Sequence, residues 1–148
     1  MNKESLNIAL ADDDDDDRML FKLAIEELSL KTEVSYFENG QELLDHLNLE
    51  NTTLPNLIFL DLNMPIKNGM QCLKEIRQNP KFDLIAVAIY STSSSEKDIE
   101  ETFVNGANIY INKPPNFNTL CKVIEKVVRL KWQYHTSNLN RDTFLFRI

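Results

Sequence analysis

Asp12, Asp13, Asp61, Ser91 and Lys113 are the residues of this chain whose types and positions could do chemistry together. Each follows, directly or nearly, an apolar run that reads as a buried β-strand. If those strands lie parallel, three carboxylates, one hydroxyl and one ammonium meet at one edge of a sheet. Carboxylates crowded in this way repel one another unless a hard cation sits between them. The set suits a magnesium-dependent phosphate acceptor. Mg2+ would bridge Asp13, Asp61 and a loop carbonyl, and Asp61 would take the phosphate.

The individual residues support this to different degrees. Asp12 and Asp13 open a run of six aspartates. Most charge runs are solvated faces, but this one abuts a strand that ends at Ala11. Its first two members therefore sit nearest the sheet edge, while Asp14 to Asp17 are expected to cap a helix and meet water. The spacing does not follow a calcium-binding EF-hand loop. Asp61 follows Leu57-Ile58-Phe59-Leu60, so its charge is partly desolvated and needs a partner. Ser91 is the first of a Ser/Thr stretch, and its hydroxyl can donate to a phosphoryl oxygen. Lys113 leaves a buried strand just before Pro114. A cis bond to that proline would give it a fixed direction, toward Asp61 before the reaction and the phosphate after it.

The elements that must position these groups alternate along the chain. Strands are expected at Leu6 to Ala11, Glu33 to Phe37, Leu57 to Leu60, Leu84 to Tyr90 and Asn108 to Ile111. The second alternates polar and apolar residues, as an edge strand does. The first helix starts within the aspartate run, whose charges suit its dipole, and carries Leu20, Ala24 and Leu28 with Phe21 and Ile25 beside them. Asn39, Ser95 and Asn116 are read as helix caps, and Gly106 as the left-handed end of the fourth helix. Five strand–helix repeats give an α/β fold with a mostly parallel sheet and helices on both faces. Ligands in such sheets bind beyond the carboxyl ends of the strands, where strand order reverses.

At 148 residues the chain has the size of one domain with a real core. Its net charge of −7 argues against a nucleic-acid surface, which needs a basic face. No apolar stretch is long enough to span a bilayer and no signal-peptide core is present, so a cytoplasmic protein is expected. Cys72 and Cys121 are read as reduced packing residues, and His46 and His135 carry no metal-ligand spacing. The stretch His135 to Ile148 differs from the rest. An extended chain there would put Phe144, Phe146 and Ile148 on one side. It is either a flexible tail or a strand or hook docked on its own domain or on a second subunit.

The chain resembles the receiver domain of bacterial two-component response regulators. The resemblance rests on Asp12-Asp13 after the first strand, Asp61-Leu62-Asn63-Met64-Pro65 with Gly69, Ser91, Gly106-Ala107, Tyr110 and Lys113-Pro114. It implies a flavodoxin-like, doubly wound (βα)5 sandwich with strand order 2-1-3-4-5, a receiver domain over 1–134, a tail over 135–148 and no output domain. It further implies that Asp61 is the phosphoacceptor and that Asp13, Asp61 and the Asn63 backbone carbonyl bind Mg2+ directly, with Asp12 acting through water. Ser91 and Lys113 would contact the phosphoryl group, and Tyr110 would be the switch residue that turns inward once Ser91 moves. Ser91 stands where the family usually has Thr, but it keeps the hydroxyl. The Gly-Ala-Asn-x-Tyr stretch and Trp132 resemble small regulators that partner phytochrome-type kinases.

A sensor histidine kinase is then the expected donor, and output would pass through a protein target or through homodimer formation. Three other readings have discriminating features. A phosphate-ester hydrolase with an aspartyl nucleophile often needs a second acid two residues on, where this chain has Asn63. A pseudo-receiver would lack the acidic and basic set. A flavin-binding protein of the same topology would carry a phosphate loop after the first strand.

Overall fold

The computed structural model describes residues 5–130 and 144–145. Five strands and five helices alternate: β1 (Leu6–Ala11), α1 (Asp15–Glu26), β2 (Thr32–Phe37), α2 (Gly40–Leu47), β3 (Leu57–Leu60), α3 (Gly69–Gln78), β4 (Ala86–Ser91), α4 (Glu96–Val104), β5 (Ile109–Asn112) and α5 (Phe117–Val128), with a 3-10 turn at Pro80–Phe82. The strands form one parallel sheet in the order β2-β1-β3-β4-β5. The parallel sheet is what the repeat pattern predicts, and its strand order is the one the family resemblance implies. Its order reverses between β1 and β3, where Ala11 lies opposite Leu60.

Strand alternation divides the core into two layers. Ala9, Ala11, Ile58 and Leu60 face Leu43, Leu47, Leu73 and Ile76 of α2 and α3. Ile8, Leu10, Leu57 and Phe59 face Phe21 and Ala24 of α1 and Ile124 and Val127 of α5. β3 is buried along its whole length and β4 likewise, whereas β2 is half-exposed at the sheet edge. Phe21 meets Phe59 edge-on at 4.9 Å, a favourable aromatic geometry that anchors α1 beside the first and third strands.

Helix starts follow local chemistry. Asn39, Ser95 and Asn116 cap α2, α4 and α5 through their side-chain oxygens, as expected. A complete capping box was not anticipated at α3, where Asn68 and Gln71 each accept from the other's backbone N–H. Gly106 takes the left-handed conformation, with φ +95.

Several expected boundaries move. β4 starts at Ala86 rather than Leu84, because the Ile85 N–H closes the 3-10 turn on the Phe82 carbonyl and Leu84 points to solvent. β5 starts at Ile109, because the Asn108 side chain bonds the backbone of β4 instead of extending the strand. In α1 the buried stripe is Phe21, Ala24 and Ile25, and Leu20 is exposed.

Cys72 and Cys121 are free thiols. Burial pushes Cys72 up to about 12, which leaves it an inert core residue. Among the described residues no helix is long and apolar enough to cross a membrane. The expected boundary between residues 134 and 135 lies outside the described residues.

Candidate functional site

Asp12 and Asp61 leave neighbouring strands side by side. The Asp61 N–H bonds the Ala11 carbonyl at 3.0 Å, and the Asp12 N–H bonds Phe37 on the other flank at 3.0 Å. Both carboxylates are buried, Asp12 fully, while Asp13 is exposed. One carboxylate oxygen from each of Asp12, Asp13 and Asp61 lies within 4.8 Å of the other two. Asp12 Oδ1 accepts from the Asp14 N–H at 3.0 Å. Asp12 Oδ2 is buried and receives no backbone or neutral side-chain donor. The nearest cation, Lys113 Nζ, is 2.9 Å away as an ion pair. Burial raises the Asp12 carboxyl from 3.8 to about 6, even though Lys113 pulls the other way.

Lys113 sits inside the cluster. Its ammonium lies 3.2 Å from Asp61 Oδ2 and 2.7 Å from Asp17 Oδ2, and 5.2 Å from the centre of the Tyr90 ring. Burial alone would lower its pKa, but the three carboxylates around it win and hold it above the usual lysine range. No cis peptide bond occurs among the described residues, so the cis Lys113–Pro114 bond is corrected to trans. The direction of the lysine comes instead from its ion pairs and from its backbone N–H, which bonds the Ser91 carbonyl at 2.8 Å.

Asp17 is the site residue that sequence reasoning missed. It was placed among solvated cap residues, yet only Asp14 acts as the cap. With Asp14 as the cap, Asp17 is the third residue of the helix and its N–H bonds Asp14 Oδ1 at 3.0 Å. Its carboxylate turns back to Lys113. The clue available in the sequence was the helix register: three positions after a cap, a side chain faces back over the start of the helix. Arg18 was also unassigned. It donates to the Asp12 carbonyl at 2.6 Å and pairs with Asp15, bracing the loop that carries the first two aspartates.

The loop after β3 is held by backbone. Gly69 presses so closely on Asp61 that a Cβ there would stand 2.2 Å from the Asp61 carbonyl oxygen. Ile66 has φ 68, and the Lys67 N–H bonds the Pro65 carbonyl at 2.7 Å across it, the pattern of a γ-turn. A β-branched residue in this region is strained. The turn leaves the Asn63 side chain exposed, while the Asn63 N–H reaches Asp61 Oδ1 at 3.4 Å.

Ser91 ends β4 and is fully buried, with its Oγ accepting from the Ser93 N–H at 3.1 Å. The Tyr110 ring is 0% exposed, its hydroxyl donates to the Ser93 carbonyl at 2.8 Å, and the Phe144 ring lies edge-on to it.

Clustered acidic oxygens, one of them buried and short of donors, fit a hard divalent cation bound through oxygen. Asp12, Asp13 and Asp61 are the side chains that could hold it. The single ammonium bridging Asp12, Asp17 and Asp61 leaves the cluster with more negative than positive charge, which favours the same ligand.

Comparison with known proteins agrees with this geometry. A family model described as the response regulator receiver domain matches residues 8–125. The response regulator Rcp1 of Synechocystis sp. is 32% identical over 124 residues, 81% of this chain and 84% of that protein. The structure of the Mn(2+)-bound form of Rcp1 superimposes with a TM-score of 0.75 and 31% identity, covering 82% of this chain and 90% of that one. The phosphorylated cyanobacterial phytochrome response regulator RcpA gives a TM-score of 0.79 and 29% identity, covering 93% of this chain and 98% of that one.

Proposed function

The chain belongs to the response regulator receiver domain family, and from that premise we propose that it takes a phosphoryl group from a histidine kinase onto Asp61 with Mg2+ bound beside it. Its place is in two-component signalling, as a phosphoacceptor rather than an enzyme with a turned-over substrate. The observation that carries the reading is the position of Lys113 Nζ, 3.2 Å from Asp61 Oδ2 and 2.9 Å from the buried Asp12 Oδ2, in a cluster with more carboxylates than cations.

Asp12, Asp13, Asp61 and the backbone carbonyl of Asn63 are the groups proposed to hold the ion. Bound there, Mg2+ supplies charge neutralisation for the carboxylates and for the incoming phosphoryl oxygens. An oxygen of Asp61 attacks phosphorus in line. The P–N bond of the donor phosphohistidine breaks as the O–P bond forms, and its electrons leave with the imidazole. Lys113 then exchanges its contact with Asp61 for one with a phosphoryl oxygen, and the Ser91 hydroxyl donates to another. Asn63, two residues after Asp61, carries no acid, which speaks against rapid turnover of phosphate esters.

The product adds roughly −1.5 to −2 charges at the sheet edge. Ser91 and Tyr110 are linked through Ser93, so a pull on Ser91 is felt on the α4–β5 face. A downstream protein target would read that face, in the cytoplasm. The likeness to Rcp1 and RcpA supports a kinase of the phytochrome type as donor.

Transfer of labelled phosphate from a kinase or from acetyl phosphate tests the proposal. Asp61→Asn is expected to remain unlabelled with Mg2+ present. Equal labelling of that variant, or labelling of the native protein that is indifferent to Mg2+, would overturn it.

A further inference from the structure

Strand order leaves β5 at the sheet edge, with backbone groups open to a further strand. Leu145 occupies that position as a parallel bridge to Tyr110. Phe144 beside it is 1% exposed and belongs to the same core layer as Leu73 and Ile89. Its ring meets Phe103 of α4 at 5.2 Å and Tyr110 at 6.2 Å, both edge-on. Phe144 thus stands in ring contact with both Phe103 and Tyr110.

We propose that the Phe144–Leu145 segment is an intrachain ligand of the groove between α4 and β5, and that it holds Tyr110 buried before any phosphate arrives. The groove is accordingly a site for an extended aromatic–aliphatic peptide that adds to the edge of β5. A target protein reads this face by displacing the segment. The inference rests on the phosphoacceptor reading in one respect: if the buried Tyr110 is the arrangement that phosphorylation favours, the segment and the phosphate strengthen one another, as reciprocal linkage requires. The segment is joined to α5 through residues 131–143, so its docking in cis recruits no second molecule. That is why the occupant is the chain's own segment and not a second copy.

The test uses the full chain without any phosphoryl donor. Amide hydrogen exchange is measured on the native protein and on Phe144→Ala. The variant is expected to exchange about tenfold faster or more at Ile109–Asn112, because an edge strand loses its cover, while Leu57–Leu60 is unchanged. An unchanged rate at β5 overturns the proposal. If Phe144→Ala loosens every strand, Leu145→Ala decides. Faster exchange confined to β5 supports the proposal, and no change overturns it. The native measurement is repeated at hundredfold dilution. Equal protection of β5 supports an intrachain ligand, and protection lost on dilution assigns the segment to a second copy and overturns it.

A second arm measures beryllofluoride binding with Mg2+, expected to weaken several-fold in Phe144→Ala. Unchanged binding there removes the linkage to the phosphate. Failure of the native protein to bind beryllofluoride would strike the phosphoacceptor reading and leave the exchange result to judge the segment.

Discussion

Arg77 and Lys113 are both half-buried cations beside the sheet, and they are partnered in opposite ways. Arg77, near the end of α3, donates to the Gly106 carbonyl at 2.9 Å, the Phe82 carbonyl at 3.3 Å and Asn108 Oδ1 at 2.8 Å. Asn108 Oδ1 also accepts from the Val87 N–H at 2.7 Å. Its acceptors are neutral and well aligned, and the cluster ties α3 to β4 and to the turn before β5. Lys113 is one ammonium shared among three carboxylates, one of them the fully buried Asp12. A satisfied network fixes structure. A network with surplus negative charge is unstable until a cation joins it. The contrast separates a structural bolt from a ligand site within one small domain.

The comparison breaks most completely at Asp61. Asp61→Asn is expected to abolish phosphoryl incorporation while leaving the Arg77 cluster and the fold intact, measured by labelling and by circular dichroism.

The next effect falls on the bolt. Arg77→Met keeps the apolar stem but strands its acceptors, and should cost about 2–4 kcal/mol of stability in urea unfolding. Mg2+ affinity should not change. A variant that lost Mg2+ binding while remaining stable would show that the two clusters are not separate in role.

Asp12→Asn sharpens the contrast from the other side. It should weaken Mg2+ binding by about 10–100-fold, the range expected when a carboxylate supporting a metal site is removed. The metal-free protein should be as stable as the native one or more so, because the desolvation of the Asp12 carboxylate outweighs its pairing with Lys113, as its raised pKa shows. Isothermal titration and thermal melting read the two effects.

The smallest effect is in pH. Asp12 has its folded pKa raised from 3.8 to about 6. Between those values the folded state holds a proton that the unfolded state has lost, so stability falls as pH rises through this window. The metal-free protein should therefore lose stability from pH 4 to 6 on account of Asp12. Asp12→Asn should flatten that slope, and saturating Mg2+ should reverse it by favouring the ionised carboxylate. Melting curves with and without Mg2+ check both.

Much of the site was legible because buried apolar runs ended in charge. Leu57 to Leu60 could only be a central strand, and an aspartate straight after it had to find a partner. Asp12 and Lys113 were legible for the same reason. Asp17 was not, because its role depends on which aspartate caps α1, a choice among near-identical residues decided by the loop from β1. Of the apolar stripe read on α1, Phe21, Ala24 and Ile25 are buried and Leu20, at the margin of that face, is exposed. Arg77 has no sequence signature at all, since its acceptors come from a turn and from residues about 30 positions away along the chain.

The chain's own pattern determined the alternation of elements, the apolar faces, the caps at Asn39, Ser95 and Asn116, and the acidic and basic residues available for chemistry. These follow from local sterics and from burial, which act over a few neighbouring residues. Tertiary structure decided which carboxylates share Lys113, that Asp12 is fully buried among them, and that Phe144 packs against Tyr110. Those outcomes depend on distances between groups remote along the chain, and electrostatic and packing energies exist only once the sheet has brought the groups within a few ångströms of one another.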